Sequence, residues 1–318
     1  MSSKIISSNQ SVRKAFAKTL VELAKTNKNI FVVSMDLMSS IKLQEFVKTY
    51  PDRFIECGIA ESNAAGVAAG LAKSGKTVFL CSFACFSPAI NWAVIRQSIC
   101  YTNLDVKIVG SHTGLMSEDL GATHQMLEDV ALMSTLPNMK VFAPIDAIET
   151  EKITTVMTNN HGPAYLRLVR PDTPVIFDTK SDFKIGKSKI LKAGKDVTVI
   201  GYSPILIQAF EAQEKLKNIS LEIINCSSVK PFDSDLILKS VKKTKRLICI
   251  EDHQKNGGLG QMISAFILES KVKTEFIHLA VDNQFGQSGR DYKKLYDHYG
   301  IGVKDLVAAA KKLYGKSI

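Results

Sequence analysis

Short runs of β-branched and aromatic residues alternate with amphipathic stretches along this whole chain, and this alternation limits its fold most strongly. The first amphipathic stretch, residues 12–23, places apolar side chains at the spacing of one helical face, and the strand-like run IFVVS follows it at 30–34. The same succession then repeats. Such alternation is typical of βαβ units, so the sequence predicts an α/β fold with mostly parallel sheets and flanking helices.

The first part of the chain has the pattern of one α/β domain that ends near Arg170. Strands are predicted at 53–58, 76–83, 105–111, 139–144 and 164–169. Helices are predicted to begin near Glu61, Pro88, His124 and Asp146.

A segment rich in Pro, Asp, Lys and Gly, residues 170–196, follows this domain and lacks helical periodicity. We interpret it as a linker with a hairpin-like start, and we place the domain boundary near Asp182, which gives domains 1–181 and 182–318. A second, smaller domain of the same class is predicted from strands at 197–203, 221–229, 246–252 and 274–281, and from helices over Ile205 to Lys217 and Ser234 to Lys242.

Composition narrows the class of protein. The formal net charge is +10, but the lysines are scattered without a basic arm, so we expect a solvated surface, anionic small substrates and no nucleic acid. No signal core and no run of roughly 18 apolar residues occurs, so we expect a cytoplasmic protein without membrane contact. The six cysteines lack zinc or redox spacing, which favours reduced core residues.

Residues that follow predicted strands are the first candidates for a site, because open α/β sheets bind ligands beyond the carboxyl ends of their strands. Glu61 lies where a strand turns through a glycine into a helix of small residues. Taken alone, it complements the helix dipole, an effect of about 0.3–1 kcal/mol. Phe83 and Phe86 end another strand, and either core packing or stacking on a flat heterocycle explains them.

Two histidines and two arginines add to these candidates. His112 ends a strand and His124 follows a glycine-bearing loop, a pattern that fits a structural role and a site equally well. Arg13 and Arg170 are ordinary surface residues if taken singly, whereas convergence on one cleft would suit a phosphate. The residues alone therefore indicate a two-domain α/β enzyme with an anion-binding cleft, and they leave the reaction open.

Read together, these residues resemble the transketolase family. The resemblance runs from SVRKAF to the final helix and is strongest, in family order and spacing, in GIAESN, SFACFS, GATHQMLEDVALMSTLPNMKVFAPID and EDHQKNGGLG. It implies a thiamine-diphosphate pyrimidine-binding domain followed by a transketolase C-terminal domain. The length and starting point are similar to the small subunit of a split transketolase.

The resemblance implies transfer of a two-carbon ketol unit from a ketose to an aldose, with thiamine diphosphate as the cofactor. Glu61 matches the catalytic glutamate that hydrogen-bonds the aminopyrimidine ring. Phe86 matches the aromatic residue that stacks on this ring, and Phe83 lines the same pocket. His124 matches the histidine that handles sugar hydroxyl protons, and Asp36 aligns with a further cofactor-pocket position.

The resemblance also implies a substrate handle. Arg13, Ser40, His112 and Arg170 match the positions that clamp a sugar phosphate. Leu120 departs from the family, which usually has an aspartate there that reads a sugar hydroxyl. An apolar side chain leaves that hydroxyl unpaired, at a cost of roughly 1 to 3 kcal/mol, so we expect a specialised substrate such as a deoxy or otherwise modified sugar.

A second departure concerns the partner chain. The sequence lacks the GDG-plus-asparagine segment with which the family holds Mg²⁺ and diphosphate, so the resemblance implies a separate N-terminal, diphosphate-binding subunit. The active site is then expected between chains, most simply in an α2β2 assembly. Two alternatives stay open: the β subunit of a 2-oxo acid dehydrogenase decarboxylase component, and a non-catalytic partner that regulates another subunit.

Overall fold

A computed structural model describes residues 6–315 of the protein, with side chains from residue 8 onward. The strands are β1 (Ile6–Gln10), β2 (Ile30–Ser34), β3 (Phe54–Glu56), β4 (Thr77–Phe83), β5 (Val106–Ser111), β6 (Lys140–Phe142), β7 (Ala164–Arg167), β8 (Thr173–Val175), β9 (Lys189–Lys192), β10 (Val197–Gly201), β11 (Leu221–Asn225), β12 (Ser228–Lys230), β13 (Arg246–Gln254) and β14 (Glu275–Val281). The α-helices are α1 (Val12–Thr26), α2 (Gln44–Thr49), α3 (Glu61–Lys73), α4 (Trp92–Val94), α5 (Asp129–Ser134), α6 (Ala147–Thr158), α7 (Gln208–Lys215), α8 (Ser234–Thr244), α9 (Leu259–Glu269), α10 (Tyr292–His298) and α11 (Val303–Tyr314).

The N-terminal domain is built on a seven-stranded sheet in the order β12-β6-β7-β5-β4-β2-β3. All its neighbouring strands run parallel except β12, which pairs antiparallel with β6. Every residue of β5 is buried, as expected of a central strand covered on both faces. The predicted α/β class and mostly parallel sheet are confirmed.

The C-terminal domain has a five-stranded sheet in the order β14-β13-β10-β11-β9, parallel except for the edge strand β9. Strand β12 belongs to this half of the chain but extends the N-terminal sheet, where Ser228 pairs with Phe142. The two domains are therefore joined through a shared sheet as well as through side-chain contacts.

Three local predictions are wrong, and a fourth is only partly right, because the single strand expected over 221–229 is divided into β11 and β12 of different sheets. The helix expected near Pro88 begins at Trp92, because the backbone of residues 84–90 forms turns that hydrogen-bond back to Phe83 and Ser111. The helix expected near His124 begins at Asp129, because positive φ angles at Glu118 and Gly121 break the preceding segment into a short 3₁₀-helix and a turn.

The third wrong prediction is the hairpin-like start of the linker. Strand β8 pairs instead with the distant β1, and β9 pairs with β11, where Ile224 lies opposite Ile190. The helix expected over Ile205 to Lys217 is shorter than predicted, since it opens with a 3₁₀-turn over Pro204–Ile207 and is α-helical over Gln208–Lys215.

The six cysteines are all free, and four of them are buried, in agreement with the predicted reduced core residues. Within residues 6–315, no helix has both the length and the apolar character needed to cross a membrane.

Candidate active site

The carboxyl ends of four parallel strands, β2, β4, β5 and β7, meet at one edge of the N-terminal sheet. Phe83 and Ser111 are paired residues at the ends of β4 and β5, and His112 follows directly. His112 adopts a φ of 59°, which turns the chain sharply after the strand. Chain topology thus brings the predicted site residues of distant segments to one edge of the sheet.

Four rings meet at this edge. Phe83 and Phe86 are stacked, with centroids 6.0 Å apart and an interplanar angle of 16°. The ring of His112 lies 3.8 Å from that of Phe83, and the ring of His124 lies 5.5 Å from that of Phe86. Phe83 is buried and Phe86 is half-buried, so the pair presents an apolar surface on which a flat ring can stack.

His112 is held neutral by its surroundings. It is only 4% exposed, and its Nδ1 lies 2.9 Å from the Ser111 hydroxyl. Burial, followed by the positive charges of Arg13 and Arg170, lowers the pKa of His112 to about 3. The imidazole therefore serves as a neutral hydrogen-bonding group beside the two arginines.

His124 lies in the turn that follows Gly121, and it is half-buried. Its Nδ1 lies 2.8 Å from the Thr123 hydroxyl, which leaves Nε2 available to a ligand. The next residue, Gln125, fixes this turn by donating its side-chain amide to the carbonyls of Glu118 and Gln287, at 3.1 Å and 2.9 Å.

Glu61 is the first residue of α3 and is 9% exposed. Its backbone carbonyl accepts a hydrogen bond from the Asn91 side chain at 3.0 Å, but nothing in the described part of the chain hydrogen-bonds its carboxylate. Its negative charge also contributes, after burial, to the raised pKa of Cys85, about 11. Glu61 therefore lies near the segment that carries Phe86, with a carboxylate that is free for an external donor.

Arg13, Ser40 and Arg170 come together through hydrogen bonds from one guanidinium. Arg13 donates Nη1 to the Ser40 carbonyl at 2.7 Å and Nη2 to the Arg170 carbonyl at 2.6 Å. Arg170 in turn pairs with the carboxylate of Asp119. Burial and then the neighbouring Arg170 lower the pKa of Arg13. The two arginines line a cavity of about 430 Å³.

Two predicted residues stand apart from these contacts. Asp36 is exposed, with a φ of 57°, and its backbone N–H donates to Glu56 Oε1 at 2.8 Å. Leu120 is half-buried at the end of the 3₁₀-helix Leu115–Leu120. Within residues 6–315, neither side chain makes a hydrogen bond or ring contact with the four phenylalanine and histidine rings described above.

Residues of the C-terminal domain also reach the cavity, and sequence reasoning missed them. Gly289 and Arg290 line it together with Glu118 and Asp172. Arg290 follows the last strand of the second sheet in a glycine-bearing loop, and no local pattern in the sequence links that loop to Arg13. Its position near a strand end was the one available signal.

A buried polar network holds the 3₁₀-helix beneath the site. Asp252 of the C-terminal domain accepts the Leu115 N–H at 2.9 Å and the Tyr296 hydroxyl at 3.1 Å. Gly114 has a φ of 69°, and a Cβ there would collide with the Asp252 carboxylate. The C-terminal domain thus positions the loop that carries Leu120 and His124.

Three potential metal ligands, Cys249, Glu251 and His278, lie together in the second sheet, away from these rings. Glu251 already accepts hydrogen bonds from the His278 Nε2 at 2.6 Å and the Tyr202 hydroxyl at 2.8 Å, and from the backbone of α9. Because the donors already surround its carboxylate, we assign this cluster to the stability of the domain.

Fold and site define a two-domain α/β chain with a cluster of aromatic and histidine rings at the carboxyl edge of its first sheet and a cavity lined by arginines. The family model for the transketolase pyrimidine-binding domain matches residues 8–175, and that for the transketolase C-terminal domain matches residues 186–316. The chain belongs to the transketolase family, which confirms the resemblance seen in the sequence.

Several relatives match along nearly their whole length. A putative transketolase C-terminal section of Methanocaldococcus jannaschii is 37% identical over 93% of each chain. One of the subunits of the apulose-4-phosphate transketolase of Phocaeicola vulgatus is 34% identical over 96% of this chain and 97% of its own length. A solved structure described as a split gene transketolase, inactive β4 tetramer, is 37% identical with a TM-score of 0.88, covering 96% of this chain and 99% of its own.

Proposed function

We propose that this chain is the small catalytic subunit of a two-chain transketolase, which transfers a two-carbon ketol unit from a ketose to an aldose. The observation that carries this proposal is the position of Glu61, a largely buried residue whose carboxylate has no hydrogen-bond donor within the described residues and stays open to a ligand. A ligand that covers this carboxylate would leave it buried, which is costly without a hydrogen bond, so the site suits a ligand that carries a donor.

The residues fit the pyrimidine half of thiamine diphosphate. Glu61 offers an acceptor for a ring nitrogen, and Phe86 with Phe83 offers the face for stacking. When bound, the cofactor supplies the carbanion chemistry that a protein side chain lacks. With the cofactor bound, Glu61 would share a proton with the aminopyrimidine ring, and a charge-assisted hydrogen bond of this kind is worth about 1.5 to 3 kcal/mol.

The remaining site residues act on the sugar. His124, with Nε2 unengaged, exchanges protons with a sugar hydroxyl as a general acid and base. Neutral His112 hydrogen-bonds the substrate without adding charge, while Arg13, Arg170 and the segment at Ser40 orient its anionic end. Asp36 is assigned to the rim of the cofactor pocket, because its exposed side chain is accessible to a second chain.

The partner in this proposal is a separate N-terminal chain that binds the diphosphate and Mg²⁺, in an α2β2 complex in the cytoplasm. The similar solved chain is described as an inactive β4 tetramer, which supports the expectation that this subunit alone is inactive. The lengths of the relatives support it too, since the chain matches 49% of human transketolase but 97% of the Phocaeicola protein.

The substrate is proposed to be a sugar phosphate or a related sugar with an anionic end. Leu120 is proposed to disfavour sugars that carry the hydroxyl group which the family's aspartate usually binds. Two similar proteins carry such substrates in their names: the Phocaeicola protein is named for apulose 4-phosphate, and a Clostridium relative, 33% identical, is named as part of a 6-deoxy-6-sulfo-D-fructose transketolase.

Reconstitution tests this proposal. The chain is combined with the diphosphate-binding subunit encoded nearest to it, thiamine diphosphate and Mg²⁺, and ketol transfer between sugar phosphates is measured. We expect transfer by the pair and none by either chain alone. Turnover only of branched 2-oxo acids, followed with an artificial electron acceptor, would reject the transketolase assignment in favour of a 2-oxo acid decarboxylase component.

A further inference from the structure

The cavity beside Arg13 is closed on one side by the C-terminal domain. Its lining comes from α1 through Arg13, from the segment after β7 through Arg170, and from the loop between β14 and α10 through Gly289 and Arg290. The two matched domains of the chain therefore share one charged cavity of about 430 Å³.

The loop that carries Arg290 is fixed onto the segment 115–125 by backbone and side-chain hydrogen bonds. The Gly289 N–H donates to the Glu118 carbonyl at 3.2 Å, and the Tyr292 N–H donates to Glu118 Oε1 at 3.2 Å. Gln125 bridges the same two loops through the Gln287 carbonyl, and a Cβ at Gly286 would collide with its side chain. Arg290 consequently lies at a defined place on the cavity wall.

The charges of the cavity are unequally engaged. Arg13 is bound to two carbonyls and Arg170 is paired with Asp119, whereas the guanidinium of Arg290 makes no hydrogen bond or ion pair within residues 6–315. The Glu118 carboxylate is partly engaged by the Tyr292 N–H. The cavity holds three arginines and three carboxylates, Glu118, Asp119 and Asp172. The exposed guanidinium of Arg290, with all its donors free, is therefore the group best suited to bind an added tetrahedral oxyanion.

We propose that Arg290 is a specificity-determining residue that binds the terminal phosphate of the sugar, so that the C-terminal domain completes a three-arginine anion site with Arg13 and Arg170. This inference rests on the proposed ketol transfer for its substrate. The incoming dianion replaces the Asp119 carboxylate on Arg170 and simultaneously engages Arg290, which remains free until then.

The test compares Arg290→Ala with Lys294→Ala in the reconstituted complex. Lys294 is a matched control, because it is an exposed cation four residues along the same segment and does not line the cavity. With hydroxypyruvate as a donor that lacks a phosphate, kcat/KM is measured for ribose 5-phosphate and for ribose. We expect the preference for the phosphorylated acceptor to fall by about tenfold in Arg290→Ala, mainly through KM, and Arg290→Lys to restore part of it.

An unchanged preference in Arg290→Ala, or an equal fall in Lys294→Ala, overturns the inference while leaving ketol transfer intact. A second measurement does not need catalysis. The isolated full chain is titrated calorimetrically with ribose 5-phosphate and, as the uncharged comparison, with ribose, and the two affinities are compared. Weaker phosphate-dependent binding in Arg290→Ala supports the site even if the complex transfers no ketol unit, and equal binding by both variants and the wild type contradicts it.

Discussion

Arg167 and Asp129 form an ion pair in which both side chains are fully buried, with Nε 3.0 Å from Oδ2. Arg167 also donates Nη2 to the Asp252 carbonyl at 2.7 Å, and Asp129 accepts the Tyr165 hydroxyl at 2.8 Å. The pair thus joins the end of β7 and the start of α5 to β13 of the other domain. It links the two domains next to Asp252, whose carboxylate accepts the Leu115 N–H.

Breaking this pair should destabilise the whole chain. Arg167→Met leaves the Asp129 charge buried without its partner, and we expect a loss of about 3–5 kcal/mol in the free energy of unfolding, measured by urea denaturation. The control is Lys293→Met, which removes an exposed ion pair with Glu211 and should cost no more than about 1 kcal/mol. Equal effects of the two variants would show that the buried pair has no special role.

Glu61→Gln should abolish most turnover of the reconstituted complex, because the amide cannot share a proton with the aminopyrimidine ring. We expect kcat to fall by at least about a hundredfold, as is common when an acid–base group is removed. Glu45→Gln makes the same change in the first turn of another helix, α2, at an exposed position, and should leave kcat near the wild-type value. Near-normal turnover in Glu61→Gln would mean that its role is misassigned.

The buried histidine should make the fold sensitive to acid. The pKa of His112 is about 3 in the folded chain, well below the ordinary value of about 6.5, so the unfolded chain binds more protons between these limits. The contribution of neutral His112 to the free energy of unfolding is therefore fully present above about pH 6.5. It falls by up to about 1.4 kcal/mol per pH unit as the pH drops towards 3.

His112→Asn should weaken this acid dependence, since asparagine tolerates the positive φ at this position and does not titrate. The measurement is the urea midpoint of both proteins from pH 7 to pH 4. Parallel curves for the wild type and the variant would contradict the assigned burial of a neutral imidazole.

Leu120→Asp should shift the sugar preference. The new carboxylate can pair with a sugar hydroxyl that leucine leaves unpaired, so we expect kcat/KM for xylulose 5-phosphate and ribose 5-phosphate to rise by about tenfold relative to that for a deoxy or otherwise modified sugar. Leu120→Met serves as the apolar control and should keep the wild-type ratio. A wild type that already prefers the ordinary pair would remove the idea of a specialised substrate.

The amino-acid sequence determined the elements and the fold class. Runs such as 106–111 are rich in β-branched residues, and that local property predicts a strand. The burial of Lys107 within this run depends on tertiary structure, because distant backbone carbonyls of residues 160 and 162 accept hydrogen bonds from its ammonium group. The sequence also singled out Glu61, Phe86 and His124 as site residues, because their chemistry and their order along the chain resemble those of a known family, and their roles stay predictions. The helix start near Asp146 was also predicted correctly, and the Asp146 side chain caps this helix by accepting the Glu149 N–H at 2.7 Å.

Tertiary structure decided which distant segments meet. Strand β12 joins the first sheet rather than the second, and β8 pairs with β1, because backbone pairing is set by packing between elements far apart in the chain. The short turn at His124 follows from positive φ angles at Glu118 and Gly121, which the residue types of this segment did not lead us to predict. The cavity shared by Arg13 and Arg290 exists only once two domains pack together, since the contacts that create it join residues separated by most of the sequence.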